Sequence, residues 1–95
     1  MNINKKPSFF KGIKKITDPA LKERVEQAIL SVEKSRDIRD IPELKKMQGY
    51  KIHYRIRVGD YRIGVKIEND FVTFEAFGHR KDIYKLCLGN FVTIP

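Results

Sequence analysis

The stretch HYRIRVGDYRIGVKI, residues 53–67, restricts what this chain can fold into more than any other part of it. Apolar and polar residues alternate on both sides of Val58-Gly59-Asp60. Side chains along a strand point to opposite faces with a period of two, so the pattern predicts two antiparallel strands joined at that break. On the first strand Tyr54, Ile56 and Val58 share one face, and His53, Arg55 and Arg57 share the other. On the second, Tyr61, Ile63, Val65 and Ile67 share one face, with Arg62 and Lys66 opposite. If the apolar sides cover a common core, the other side of the hairpin carries His53, Arg55, Arg57, Arg62 and Lys66. Such a surface repels itself and attracts polyanions.

A hairpin with one apolar face needs a layer to cover it. The upstream chain supplies helices. Ser8 is placed to cap a helix through FFKGIKKI, with Phe9, Ile13 and Ile16 on one side and Gly12 weakening it. Asp18-Pro19 is a stronger start, an N-cap acid followed by proline at the first helical position. Leu21, Val25, Ala28, Ile29 and Val32 then recur at helical spacing. They predict a helix over roughly residues 19–35, with Lys22, Glu23, Glu26, Glu33 and Lys34 on its solvated face. Asn2-Ile3-Asn4 is compatible with a short edge strand that Pro7 would end.

Residues 36–49 read as a connection, with a short helical turn over Pro42–Met47 and Ile38, Ile41 and Leu44 pinning it to the core. Strands are expected over about 50–58, 61–68 and 71–77, with Glu68-Asn69-Asp70 as a tight turn. Gly78 is expected to break the last strand, Asp82 to Leu86 to form one closing turn, and Gly89 to Pro95 to form a tail. The expected architecture is α+β, with two N-terminal helices on one face of a small twisted antiparallel sheet. It is expected as one domain over residues 1–95, its core at about 8–86 and a C-terminal tail at 87–95.

The net charge is +8, and it is concentrated. Residues 45–66 hold Lys45, Lys46, Lys51, Arg55, Arg57, Arg62 and Lys66 against Asp60 alone, so six of the eight net charges lie in under a quarter of the chain. Basic residues on a strand face are often merely solvated. A concentration of this kind instead points to an acidic partner: nucleic acid, an anionic membrane or an acidic protein segment. The single cysteine, Cys87, excludes an internal disulfide and a cysteine-based metal cluster, and it reads as a plain small side chain. No apolar run resembles a signal peptide or spans a bilayer, so a cytoplasmic protein with no membrane contact is expected.

No dinucleotide fingerprint or P-loop is present, and His53 and His79 are the only histidines, without ligand spacing; no metal and no cofactor are expected. The basic strand face remains, with Tyr50, Tyr54, Tyr61 and Tyr84 interleaved. Arginine's planar fork suits phosphate, and fixed cations stabilise added negative charge. Cleavage of RNA by its own 2′-hydroxyl passes through a more highly charged phosphorane, and arginines aimed at that charge catalyse it without a metal. An aromatic such as Tyr84 can hold a splayed base by stacking.

YRIRVGDYRIGVKI, followed about a dozen residues later by GHRKDIYK, resembles the RelE/ParE toxin superfamily of bacterial toxin–antitoxin systems. SFFKGIKKI, the helix ending in ILSVEKSRD, and LKKMQGY fit the same family, so the resemblance covers roughly residues 8–86. It implies a small α+β domain and, for RelE-type members, a metal-independent endoribonuclease that cuts mRNA, often in the ribosomal A site. By motif it carries over Arg55 and Arg57 as the basic strand positions, Arg62 from the paired strand, Arg80 after the final strand and Tyr84 as the closing tyrosine. Arg62 and Arg80 would stabilise the developing phosphate charge, Arg80 would be placed to protonate the leaving 5′-oxygen, and Tyr84 would position a base or the phosphate. Lys45, Lys46, Lys51, Lys66 and Lys81 would contact RNA.

The best-known RelE has lysines where this chain has Arg55 and Arg57. Lysine acts as a base when its pKa is depressed, whereas arginine stays protonated. The candidate bases are therefore His53, which shares the arginine face by parity, then His79, then Glu75. The tail KLCLGNFVTIP matches no family pattern. Two other readings stand beside the nuclease: a ParE-like protein that poisons DNA gyrase without enzymatic activity, and an inactive basic module that binds RNA or the ribosome. The toxin readings imply a cognate antitoxin whose neutralising segment is helical, amphipathic and acidic. The nuclease reading adds mRNA and the ribosome as partners.

Overall fold

A computed structural model describes the backbone of residues 1–88 and the side chains of residues 1–86. The expected tail over Gly89–Pro95 and the reading of the Cys87 side chain lie outside those described residues. The elements run β1 (Asn2–Lys5), α1 (Pro7–Lys14), α2 (Pro19–Lys34), a 3-10 turn (Ile38–Asp40), β2 (Leu44–Lys46), β3 (His53–Val58), β4 (Tyr61–Glu68), β5 (Phe71–His79) and α3 (Ile83–Leu88). The five strands form one sheet in the order β1-β5-β4-β3-β2.

The class is the expected α+β, and α1 and α2 cover one sheet face. α2 begins as its sequence dictates: the Asp18 carboxylate accepts a hydrogen bond from Ala20 N at 3.0 Å, with Pro19 at the first position. Val25 and Val32 are buried against the sheet. α1 differs from expectation at its start. Pro7 opens it, Lys6 is the N-cap residue, and no side chain caps it. The Ser8 hydroxyl instead donates to the Glu75 carbonyl of β5. Gly12 has a packing role: a methyl group there would run into the Phe77 carbonyl oxygen, so its bareness lets α1 lie on β5.

Phe9 meets Phe74 at 5.3 Å between ring centres, and Ile56, Ile63 and Val65 fill the rest of this core. The hairpin alternation is as predicted: Ile56, Val58, Ile63, Val65 and Ile67 are all buried. Asn69 adopts a left-handed φ of 55° in the β4–β5 turn.

Four expectations are corrected. The sheet is mixed, because β1 pairs with β5 in parallel; the chain enters at an edge and returns only after both helices have crossed the face. Residues 44–46 are a strand rather than a helical turn: Leu44 pairs with Ile56 and Lys45 with Arg55, so the segment gains a ladder on the free edge of β3. The first hairpin strand begins at His53 rather than near residue 50. Finally, Gly78 does not end β5, which runs to His79, because Arg62 and Tyr61 continue the ladder opposite Gly78 and His79.

A register irregularity matters for the other face. Gly64 pairs with Ala76 and Val65 with Phe74, leaving Glu75 as an extra residue. Strict alternation would send Phe74 and Phe77 to opposite faces. The bulge returns both to the helix-covered core, where both are buried.

Candidate nucleic-acid interface

The face turned away from α1 and α2 is built from the polar half of the same alternation. Its register places Arg55 opposite Gly64, Arg57 opposite Arg62 and His53 opposite Lys66. On the far side of β4, Gly64 is paired with Ala76 and Arg62 with Gly78. The centre of this face is therefore floored by small residues. α3 closes one side of it, with Ile83 buried beside Met47 and Ala76, and Tyr50 and Tyr84 packed on that small second core.

Arg62 is half-buried and its Nη1 donates to the carbonyls of Gly59 and Tyr61, each at 2.9 Å. The hairpin turn thus holds the guanidinium in place. Arg80 reaches the same turn through its backbone, whose N–H donates to Asp60 O at 2.9 Å. Burial pushes the Arg62 pKa down, and the charges of Arg57, Arg55 and Arg80 push it further, against a partial offset from Asp60. Four arginines from β3, β4 and the chain after β5 therefore share one field. Arginine remains cationic at neutral pH even when lowered, so the cluster is a fixed positive charge with an unmet demand for anions.

Tyr84 is joined to this group. Its hydroxyl oxygen accepts from Gln48 N at 3.0 Å and from Arg55 Nη1 at 3.4 Å. With its oxygen doubly engaged as an acceptor, the phenol proton is left to donate outward. The Gln48 contact had no sequence signal, because the donor is a backbone amide. Tyr50 also joins the site, lying edge-on to His53 at 5.8 Å and 6.5 Å from Tyr84.

The candidate bases stand differently toward the cluster. His53 lies on the arginine face, with Nδ1 3.1 Å from Glu75 Oε1. It is two residues from Arg55 along β3, about 7 Å at strand rise, and four from Arg57, about 13 Å. Glu75 is buried and its Oε2 accepts from Lys6 Nζ at 2.9 Å. The bulge lets this carboxylate reach Lys6 and His53. His79 pairs with Tyr61, stands edge-on to that ring at 5.7 Å and so belongs to the helix-covered face; its Nδ1 accepts from Lys81 N at 3.2 Å.

Among the lysines, Lys45 shares the arginine face because it pairs with Arg55, whereas Lys46 pairs with Tyr54 and falls on the other side. Lys66 is on the arginine face and contacts Glu68 at 3.7 Å. Lys51 and Lys81 are exposed in connections. Among the described residues no three His, Cys, Asp or Glu side chains gather as a metal site, and no helix is long and apolar enough to cross a membrane.

Comparison with known proteins follows the same lines. The family model described as the ParE toxin of type II toxin-antitoxin system, parDE, matches residues 3–84. Toxin RelE3 of Methanocaldococcus jannaschii is 36% identical over 78 residues, which cover 81% of this chain and 88% of the relative. The fold matches the RelB-RelE antitoxin-toxin complex from Methanococcus jannaschii with a TM-score of 0.72 and 33% identity, covering 85% of this chain and 94% of that one. It also matches the YoeB dimer from Staphylococcus aureus with a TM-score of 0.68, covering 84% and 97% of the two chains. At 14% identity the YoeB likeness is one of fold alone.

Proposed function

The chain belongs to the family of ParE toxins of type II toxin–antitoxin systems, and from that premise we propose that it is a RelE-like endoribonuclease that cleaves mRNA on the ribosome. The observation that carries this reading is the gathering of Arg55 and Arg57 on the strand paired with Arg62, with Arg80 bound through its backbone to the same hairpin turn and Tyr84 tied to Arg55. The 2′-hydroxyl of the RNA gives up its proton to a base, for which His53 is the candidate on this face, and attacks the adjacent phosphate. The P–O5′ bond breaks, leaving a 2′,3′-cyclic phosphate and a 5′-oxygen that Arg80 protonates, while Arg62 and Arg80 stabilise the charge that develops on the phosphorane. Arg55 and Arg57 hold the phosphate in line. Tyr84 positions the phosphate or a base with its outward hydroxyl and ring. Lys45, Lys51, Lys66 and Lys81 add backbone attraction. His53 is the one histidine on this face and is the base this reading favours over His79, which stands on the other.

The test is a 5′-end map of cellular mRNA after a brief pulse of expression, wild type beside Arg80→Ala. Cuts inside translated frames with 5′-hydroxyl ends are expected, falling by about 10²–10³ in the variant. Growth arrest with intact mRNA sinks the nuclease and turns attention to the ParE-like alternative, a gyrase poison, which the name of the matched family keeps in view. The solved relatives include a toxin in complex with its antitoxin, RelB-RelE, and we infer a cognate antitoxin for this chain as well. Its neutralising segment is acidic, amphipathic and helical. The affinity should fall as salt rises; an affinity indifferent to salt removes the basic face as its docking surface.

A further inference from the structure

The hairpin turn at Gly59 has a cation on its helix side that the arginine cluster does not account for. Arg24 projects from α2, and its guanidinium lies over the bare Cα of Gly59: a methyl group built there would stand 3.0 Å from Arg24 Nη1 and 3.8 Å from Cζ. Gly59 has a φ of 63°, so the turn favours glycine on backbone grounds as well, and the same missing side chain leaves room for the guanidinium.

The turn's own acceptors are already used. Arg62 takes the Gly59 and Tyr61 carbonyls, and Arg80 N takes that of Asp60. Among the described residues no carboxylate forms an ion pair with Arg24 or Arg57. Arg24 is also not among the charges acting on Arg62, which are those of Arg57, Arg55, Arg80 and Asp60. Between α2 and β3 runs a cleft of about 500 Å³ that Arg24 and Arg57 both line; Glu23 and Glu43 line it too but engage neither arginine. Arg57 thus borders both the cluster on the sheet face and the cleft, in which Glu23 and Glu43 match the two arginines in number.

We propose that Arg24 binds a second phosphate of the RNA, one beyond the scissile phosphate that Arg57 helps to hold, so that the strand leaves the arginine face around the tip of the β3–β4 hairpin toward α2. This rests on the RNA-cleaving reading above. A guanidinium with its N–H donors unspent gains most from an anionic oxygen brought to it. A single strand crossing a sheet edge offers phosphates at successive positions, which is what separated cations on two sides of a turn would meet.

Fluorescence anisotropy of a labelled single-stranded RNA on the purified full chain, titrated from low to high salt, tests this. The proteins are wild type, Arg24→Ala, Arg24→Lys and Arg80→Ala, each on two RNAs of unrelated sequence. For Arg24→Ala, the slope of log affinity against log salt should fall in magnitude by about 0.7, equivalent to about fivefold weaker binding at 0.1 M salt, and equally for both RNAs. Arg24→Lys should retain the wild-type slope, because it keeps the charge. Weaker binding by Arg24→Ala with an unchanged slope marks a disturbed turn and overturns the inference. So does wild-type behaviour of Arg24→Ala beside a reduced slope in Arg80→Ala; that result leaves the arginine face as an RNA site. If wild-type binding ignores salt, both this inference and the RNA reading fall.

Discussion

The two faces of the central sheet are made by one alternation and come to opposite ends. On the face under α1 and α2, Ile56, Ile63, Val65, Phe74 and Phe77 are buried and pack on one another. On the other face the neighbours of those residues are Arg55, Arg57 and Arg62, which repel one another and are only partly covered. The first face earns the stability that the second spends. Like charges directly opposite on paired strands are destabilising, and Arg57 faces Arg62 in register. A chain does not keep such an arrangement for its fold. With the arginine face as the site proposed above, the difference teaches that structure and function are separable by parity alone: neighbouring residues on one strand would belong to different tasks.

The separation is broken most severely from the apolar side. Phe74 is fully buried, touches Phe9 and lies opposite Val65 in the ladder. Phe74→Ala should lower the unfolding free energy by about 3–5 kcal/mol. That is much of the total for a domain of this size, so urea unfolding should begin at very low denaturant and activity should fall with the fold. A loss below about 1 kcal/mol would mean the face collapses to fill the space, and the tight core described here would be wrong.

Gly12→Ala sharpens the same side, because two effects oppose in sign. Helix propensity alone favours alanine by about 1 kcal/mol. The added methyl would meet the Phe77 carbonyl oxygen and stand 3.1 Å from the Phe77 Cβ. Backbone cannot give as a flexible side chain can, so the collision should win. The expected net effect is a destabilisation of about 1–3 kcal/mol, read from the shift of the urea midpoint. Stabilisation would show that α1 rides higher on β5 than it does here.

Gly12 also marks where the sequence stops being legible. The hairpin parity, the Asp18-Pro19 start of α2 and the Asn69 turn each rest on local rules, and the chain states them plainly. What depends on distant partners is not stated. Nothing in residues 2–5 says that they lie parallel to residues 71–74. Nothing in FVTFEAFGH announces the bulge at Glu75, without which Phe74 and Phe77 would part. The candidate site divides in the same way. Arg55, Arg57 and Arg62 follow from alternation, and Arg80 and Tyr84 came through family resemblance. The facing of His79 is set by strand register, the tie from Gln48 to Tyr84 is a backbone amide, and Arg24 reaches Gly59 only through the packing of α2.

The smallest effect is the most telling, because its sign is unusual. Arg57 is exposed, and no protein acceptor engages its side chain among the described residues; its charge depresses the pKa of Arg62, which is a measure of the repulsion between them. Arg57→Gln removes that charge while keeping a polar, though shorter, side chain. The folded state should gain about 0.2–1 kcal/mol, the range for relieving like charges across a ladder, while the RNA cleavage proposed above should weaken. The gain should shrink as salt is raised from about 10 mM to 1 M, because screening already relieves the repulsion in the wild type. Urea midpoints of both proteins at the two salt concentrations give the answer. A variant that is less stable at low salt would mean that Arg57 holds the fold through contacts of its own. The two faces would then not be separable, and the arginine cluster would have to be explained as structure before it was explained as a site.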